Sequence, residues 1–361
     1  MESRLKSPRN RIVLVIVLLA VAALIWFGRG RIHFNWGVFV EQLRQAEWSR
    51  IALALASIYL GYVFRAARWA LLIRHLKKVP LFSLLGTQVI GFTAVALIGR
   101  VADPVRPYLV AKKTGLPLST QFAVYVVERL FDAGSMALIF CSVILLAPAG
   151  AIPHPEIVRK ASYTALASTV AGGLFLLAVR LAGGVVASWA ERMFGLASAR
   201  LGKSVGDKIR TFRSGLDTLR SVSDFAVTLG ISLSMWALIA LAYLQTMRAF
   251  VASPQLGHIT LPECMLLMAS SMVASGFQLP IIGWFTQIGL VAAAMSTFFG
   301  VAPEPATGCA ATLLVVTFLG TVPIGLIWSR FDHISLKGIT RESEEAGEEL
   351  AHHAEPTTQE A

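Results

Sequence analysis

The chain has 361 residues, 55% of them hydrophobic and only 15% charged. A soluble domain carries about 25% charge, so a water-facing globule is excluded, and a disordered chain is excluded by the apolar area available for burial. The net charge of +11 is unevenly spread. The last 32 residues, from Arg330, hold three basic and eight acidic side chains, which leaves the body at +16. The body's cations sit at the ends of apolar runs, as the positive-inside rule requires, and no basic stripe suits nucleic acid.

Apolar runs fall at roughly 12–27, 51–73, 82–99, 121–147, 163–182, 224–247, 264–300 and 306–329. The first follows Arg4, Lys6, Arg9 and Arg11 and ends at Arg29 and Arg31 without a small-residue cleavage site, so it reads as a retained anchor. The linker 183–223 carries seven cations, among them Arg192, Lys203, Lys208 and Arg220. It reads as a cytoplasmic amphipathic stretch on the inner headgroups. The Pro-rich 148–162 and the charge-poor 248–263 read as outer loops.

Parity then places 100–120 inside. The basic patch Arg74, His75, Lys77 and Lys78 also belongs inside, so 82–99 should enter and return rather than cross. By the same logic 264–300 turns back around Gly276 to Gly283 from the outer face. The expectation is an all-α polytopic bundle with six full crossings and two re-entrant hairpins, both termini cytoplasmic. Hairpins from opposite faces are the arrangement of an inverted repeat. Residues 1–329 form the membrane domain and 330–361 an acidic disordered tail. Against this orientation, the outer loop 28–50 carries Arg29, Arg31, Arg44 and Arg50.

Charges at mid-helix depth cost roughly 2.5–3.5 kcal/mol each on insertion scales, so each needs a reason. Arg65 and Arg68 share a helix face. Arg68 is close enough to the inner end to snorkel, whereas Arg65, ~12 Å deep, needs an anion; two snorkelling arginines are the alternative. Asp103-Pro104 reads as an N-cap and first-turn proline of a short helix that ends at Lys112, Lys113 and Gly115. That helix presents its N-terminus and Arg106 to the interior, where a phosphate would fit; the alternative is a connecting helix with a local Asp103–Arg106 pair. Glu128 and Asp132, with Arg129 between them, place two repelling carboxylates on one face. They are tolerable only with a cation between them, unless they sit at headgroup level. In the second hairpin Gly276, Pro280 and Gly283 break the helix, while Gln278, Thr286 and Gln287 offer neutral hydrogen bonds. Cys141, Cys264 and Cys309 lack metal or redox spacing and read as buried small hydrophobes.

These motifs resemble the flippase-like integral membrane domain found as the transmembrane part of lysylphosphatidylglycerol synthases, over roughly residues 50–330. The resemblance rests on Arg65-Ala-Ala-Arg68-Trp69, on Ala102-Asp103 with Arg106, on Glu128-Arg129-Leu-Phe-Asp132, and on Pro280 to Gln287. The family usually has Gly-Glu at the second motif, and Pro-Gly-Gly with an acid at the fourth. Here Ile281 and Ile282 replace the glycines and Gln287 the acid. The resemblance implies movement of phospholipid or polyprenyl-type lipids between leaflets of a bacterial or archaeal plasma membrane. The synthase's soluble aminoacyl-transferring domain has no counterpart after residue 330, so lipid lysinylation is not expected.

The leading expectation is therefore a lipid flippase, not an enzyme. An anionic headgroup binds at Arg65, Arg68 and Arg106, while Asp103, Glu128, Arg129 and Asp132 support them and Pro280, Gly283 and Gln287 serve the second hairpin. No cofactor or metal is called for, and the chain has no nucleotide-binding loop. The expected partners are membrane lipids, with a homo-oligomer or a membrane-protein partner left open and nucleic acid excluded. Two rivals remain: an intramembrane lipid-modifying enzyme using Glu128 and Asp132 as an acid–base pair, and a non-transporting scaffold acting through 183–223.

Overall fold

The computed structural model describes residues 34–99, 102–147, 155–196, 221–276 and 282–332, with scattered positions between 198 and 207 and Gly338. The first apolar run (12–27), Gln278, Pro280 and most of the acidic tail lie outside the described residues. Within them the chain is all helical, with no strand. The helices are α1 (Trp36–Arg44), α2 (Trp48–Ile73), α3 (Leu81–Ile98), α4 (Val105–Thr114), α5 (Leu118–Leu145), α6 (Pro155–Gly195) and α7 (Val222–Arg248). They are followed by α8 (Pro254–Gly257), α9 (Leu261–Gly276), α10 (Ile282–Phe299), α11 (Pro303–Thr317), a 3-10 turn (Leu319–Thr321) and α12 (Val322–Phe331).

Local chemistry sets several starts. Asn35 accepts from the Gly37 and Val38 amides ahead of α1, and Ser221 with Asp224 forms a capping box on α7. Prolines open α6 and α11, where the missing amide costs nothing.

Long-range bonds sort the helix ends into two groups. At one end Asp224, at the start of α7, pairs with Arg74 and His75 after α2. There too Lys77 Nζ donates to Thr114 O at 2.6 Å, and Lys113 pairs with Asp332 at 2.9 Å. Arg74, Lys77, Lys78, Lys112, Lys113 and Arg330 are exposed there, so this is the basic end. At the opposite end the Glu47 amide donates to Ala249 O at 2.8 Å and the Asn35 amide to Glu304 at 2.9 Å. Glu47 also takes a 2.6 Å hydrogen bond from Arg50, which holds its carboxyl below the ordinary range. Arg50, one of the four arginines of the 28–50 stretch, is thereby paired locally.

α2, α7 and the α11–α12 pair run from one end to the other. α5, with 28 residues, is ~42 Å long and also spans, carrying its charges inside. α6 returns antiparallel to it, with the Cys141 thiol donating to Ser162 O. Outward faces are apolar, including Leu53, Leu60, Val227, Val315 and Ile327, while Arg68, Arg106, Glu128 and Asp132 are buried. Charges inside and hydrocarbon outside suit lipid rather than water. The protein is a multi-pass membrane protein.

Four expectations need correction. The stretch 82–99 does not turn back on itself: α3 is one unbroken helix of 18 residues, ~27 Å long, and the return is made by α4. Residues 100–120 are accordingly not all at the inner surface, because Ala102, Val105 and Arg106 are fully buried. The outer loop expected over 148–162 is shortened, since α6 begins at Pro155. It reaches Gly195 with one break at Ala182 (φ −126°, ψ 29°), where the expected crossing ended. Finally, the last run is not one helix: it breaks at Phe318 (φ −131°, ψ −62°). Just after the break Tyr59 donates to Gly320 O at 2.9 Å and Thr93 to Thr321 O at 3.4 Å.

The α3–α4 hairpin thus enters from the basic end, with Gly99 (φ 91°) supplying the positive φ that the turn needs. The α9–α10 hairpin enters from the opposite end, as the sequence predicts. Their inner parts meet where Trp284 Nε1 donates to Ala96 O at 3.1 Å, one of the carbonyls left open at the end of α3.

Candidate functional site

The charges singled out in the sequence converge from three helices, α2, α4 and α5. Glu128 and Asp132 do lie on one face of α5, and the cation between them is Arg68 of α2. Its two terminal nitrogens reach Glu128 Oε1 and Asp132 Oδ1, each at 2.7 Å, and it also donates to Ser232 of α7 at 2.8 Å. Arg106 of α4 donates to both oxygens of Glu128, at 3.0 and 2.7 Å, and to Gln88 of α3 at 2.9 and 3.2 Å. Trp236 Nε1 adds a 3.3 Å bond to Asp132 Oδ1. Both guanidiniums have no exposed side-chain surface. A buried carboxylate with two such partners is held; losing one partner leaves an uncompensated charge.

Arg68 therefore does not snorkel. It points inward because its partners lie at the level of the α5 acids, so its guanidinium is engaged rather than open to a substrate. Arg106 faces the interior as expected, but its guanidinium is taken by Glu128 and Gln88. Asp103 does not cap α4: the helix starts at Val105 with Pro104 as N-cap and no side-chain cap bond. The expected C-terminal end holds, with Gly115 left-handed and Lys112 and Lys113 in the last turn.

Arg65 and Arg129 are placed differently. Arg65 approaches Glu128 and Asp132 only to 3.9 and 3.7 Å, and its Nη1 is buried without a hydrogen bond among the described residues. Arg129 Nη2 lies 2.8 Å from Asp132 Oδ2 but out of line for a hydrogen bond, and it too is unsatisfied. Both border a cavity of about 350 Å³. At its charged side are Arg65, Asp103, Arg129 and Asp132. At the other side Tyr243 and Ser271 share a 2.8 Å bond, and Gln287 donates to Ser271 at 3.3 Å. Met235, Ile239, Met268 and Phe318 complete apolar walls. Both hairpins and the break in the last crossing border this space. Gly283 is buried near the start of α10.

The second hairpin thus brings Gln287 to the cavity, while Pro280 lies outside the described residues. Sequence reading missed Gln88, Ser232, Trp236 and Phe92. Gln88 was legible as a lone amide in an apolar run. Ser232 and Trp236 carry no signal, because only the packing of α2 against α7 brings them to the acids. All three cysteines are free and buried. Among the described residues no group of His, Cys, Asp and Glu is arranged to hold a metal.

The family model of the lysylphosphatidylglycerol synthase TM region matches residues 12–325. The chain belongs to that family. Searches of curated proteins and of solved structures gave no match. Within this TM-region domain, the three charged motifs that carry the resemblance are in contact with one another in space. Gln287, from the diverged fourth motif, lies across the cavity from them.

Proposed function

We propose that the protein translocates an anionic lipid between leaflets, with the headgroup entering the cavity beside Arg65 and Arg129 while the chains stay in the bilayer. The observation that carries this reading is the charge balance of the site. Four guanidiniums face the carboxylates of Glu128, Asp132 and the cavity-lining Asp103, and two of the four, Arg65 and Arg129, border the cavity with unsatisfied nitrogens. An anion there gains charge-assisted hydrogen bonds in a low-dielectric setting. Arg68 and Arg106 act as the frame that fixes Glu128 and Asp132, not as headgroup ligands. The acids serve as counter-charges, so no lipid chemistry is assigned to them. The basic end is placed in the cytoplasm, where its exposed lysines raise the local concentration of anionic lipid. The family match supports a lipid-related membrane role of this kind.

The test is reconstitution in vesicles with fluorescent phosphatidylglycerol and phosphatidylcholine, following leaflet exchange by dithionite quenching. Wild type is expected to exchange the anionic probe faster, and Arg65→Gln to remove most of that difference. Equal rates for wild type and Arg65→Gln overturn the assignment. Lipid mass spectrometry on the same vesicles checks that no lipid is chemically altered.

A further inference from the structure

We infer that Phe92 is the residue that keeps Arg65 available to an anion, and that it thereby sets the cavity's preference for anionic over zwitterionic headgroups. This rests on the headgroup role of Arg65 proposed above.

Two guanidiniums stack on this one ring: Arg106 Cζ lies 4.3 Å and Arg65 Cζ 4.7 Å from its centroid. Tyr62 braces the ring edge-on, with centroids 5.2 Å apart and planes at 73°. Phe92 borders the cavity, while Arg106 does not, so the ring stands between the buried ion-pair network and the space that a headgroup enters. Gly91, the preceding residue, has no side chain, and a Cβ there would lie 2.4 Å from Arg106 Cγ. The chain is thus shaped for Arg106 to lie close against α3.

Arg65 needs such a support. Glu128 already accepts from Arg68 and Arg106, and Asp132 from Arg68 and Trp236. At 3.7–3.9 Å Arg65 is attracted to these acids without bonding to them. A flexible guanidinium this close to two carboxylates closes the gap unless something competes for it. A ring face attracts a desolvated cation through its quadrupole and, unlike a carboxylate, leaves all its N–H groups free. The ring therefore holds the cation in place and leaves its donors to the ligand. A leucine or methionine at this position fills similar space but lets Arg65 collapse onto Glu128 and Asp132, which neutralises it.

The experiment titrates detergent-solubilised protein with dihexanoyl phosphatidylglycerol and dihexanoyl phosphatidylcholine by calorimetry. Wild type is expected to bind the anionic probe at least tenfold more tightly. Phe92→Leu and Phe92→Met should each reduce that preference about fivefold to tenfold, and Phe92→Trp should retain it. In an Arg65→Gln background Phe92→Leu should have no further effect, because the ring acts through that arginine. An equal loss in both backgrounds overturns the inference and leaves only packing. A preference unchanged in both Phe92→Leu and Phe92→Met overturns it while the headgroup site stands. A wild type that does not discriminate between the probes overturns both readings. If Phe92→Leu does not fold, Phe92→Met decides.

Discussion

The two hairpins reach the same cavity from opposite ends, yet they are built on different physics. The α3–α4 hairpin is anchored by charge: Arg106 at its inner end is buried, bound by Glu128 and Gln88, and its arms close on each other where Gly91 meets Arg106. The α9–α10 hairpin offers amide and hydroxyl groups, in the chain Gln287–Ser271–Tyr243, beside methionine side chains. Ionic anchoring fixes position steeply, because every broken partner strands a charge. Neutral bonds in hydrocarbon average well under 1 kcal/mol, so each polar bond of the second hairpin holds it less steeply than the ion pairs hold the first.

Breaking the ionic anchor should give the largest effect. Glu128→Gln leaves Arg68 and Arg106 short of a counter-charge and should cost about 3–5 kcal/mol, read as a lower unfolding temperature in detergent. Removing Arg106 together with it, as Glu128→Gln/Arg106→Gln, should recover part of that loss; no recovery would contradict the pairing. Next comes steric disruption of the same hairpin. Gly91→Ala drives a methyl group into Arg106 and should destabilise by about 1–3 kcal/mol, whereas Gly289→Ala in the second hairpin, where a Cβ meets nothing within 4 Å, should be neutral.

Arg65→Gln sharpens the contrast between frame and ligand. Among the described residues its Nη1 makes no hydrogen bond, so the substitution should leave the unfolding temperature within a few degrees, while slowing anionic-lipid exchange at least tenfold. The smallest effect is expected at the neutral wall. Gln287→Leu should cost less than about 1 kcal/mol and change exchange by threefold or less. A tenfold loss there would show that the second hairpin, rather than Arg65 and Arg129, carries the headgroup.

How much could be read without the structure follows from these contacts. The spacing of Glu128 and Asp132 forced a cation between them, and Arg68 supplies it; the depth of Arg65 demanded an anion, and its nearest acids are those two. Basic flanks and parity placed two hairpins entering from opposite ends. The tip of the first was misplaced because an apolar run of 18 residues looks the same whether the chain turns within it or after it. The break at Phe318 was invisible, since Thr317-Phe-Leu-Gly320 is uniformly apolar or small, and the bonds to Gly320 O and Thr321 O come from Tyr59 and Thr93, far away in sequence.

Composition, run length and charged flanks by themselves determined an all-helical, multi-pass membrane protein with a few charges too deep for orientation alone. Burial in lipid is decided residue by residue along a helix, so a one-dimensional pattern records it. Which arginines are spent and which are spare was decided only by the tertiary structure. Arg65 and Arg68 are three residues apart on one helix, with the same chemistry and less than one turn between them. The rotation of α2 against α5 and α7 gives Arg68 to Glu128, Asp132 and Ser232, and leaves Arg65 against Phe92 at the edge of the cavity. That rotation is set by packing across helices, and no local pattern in the chain encodes it.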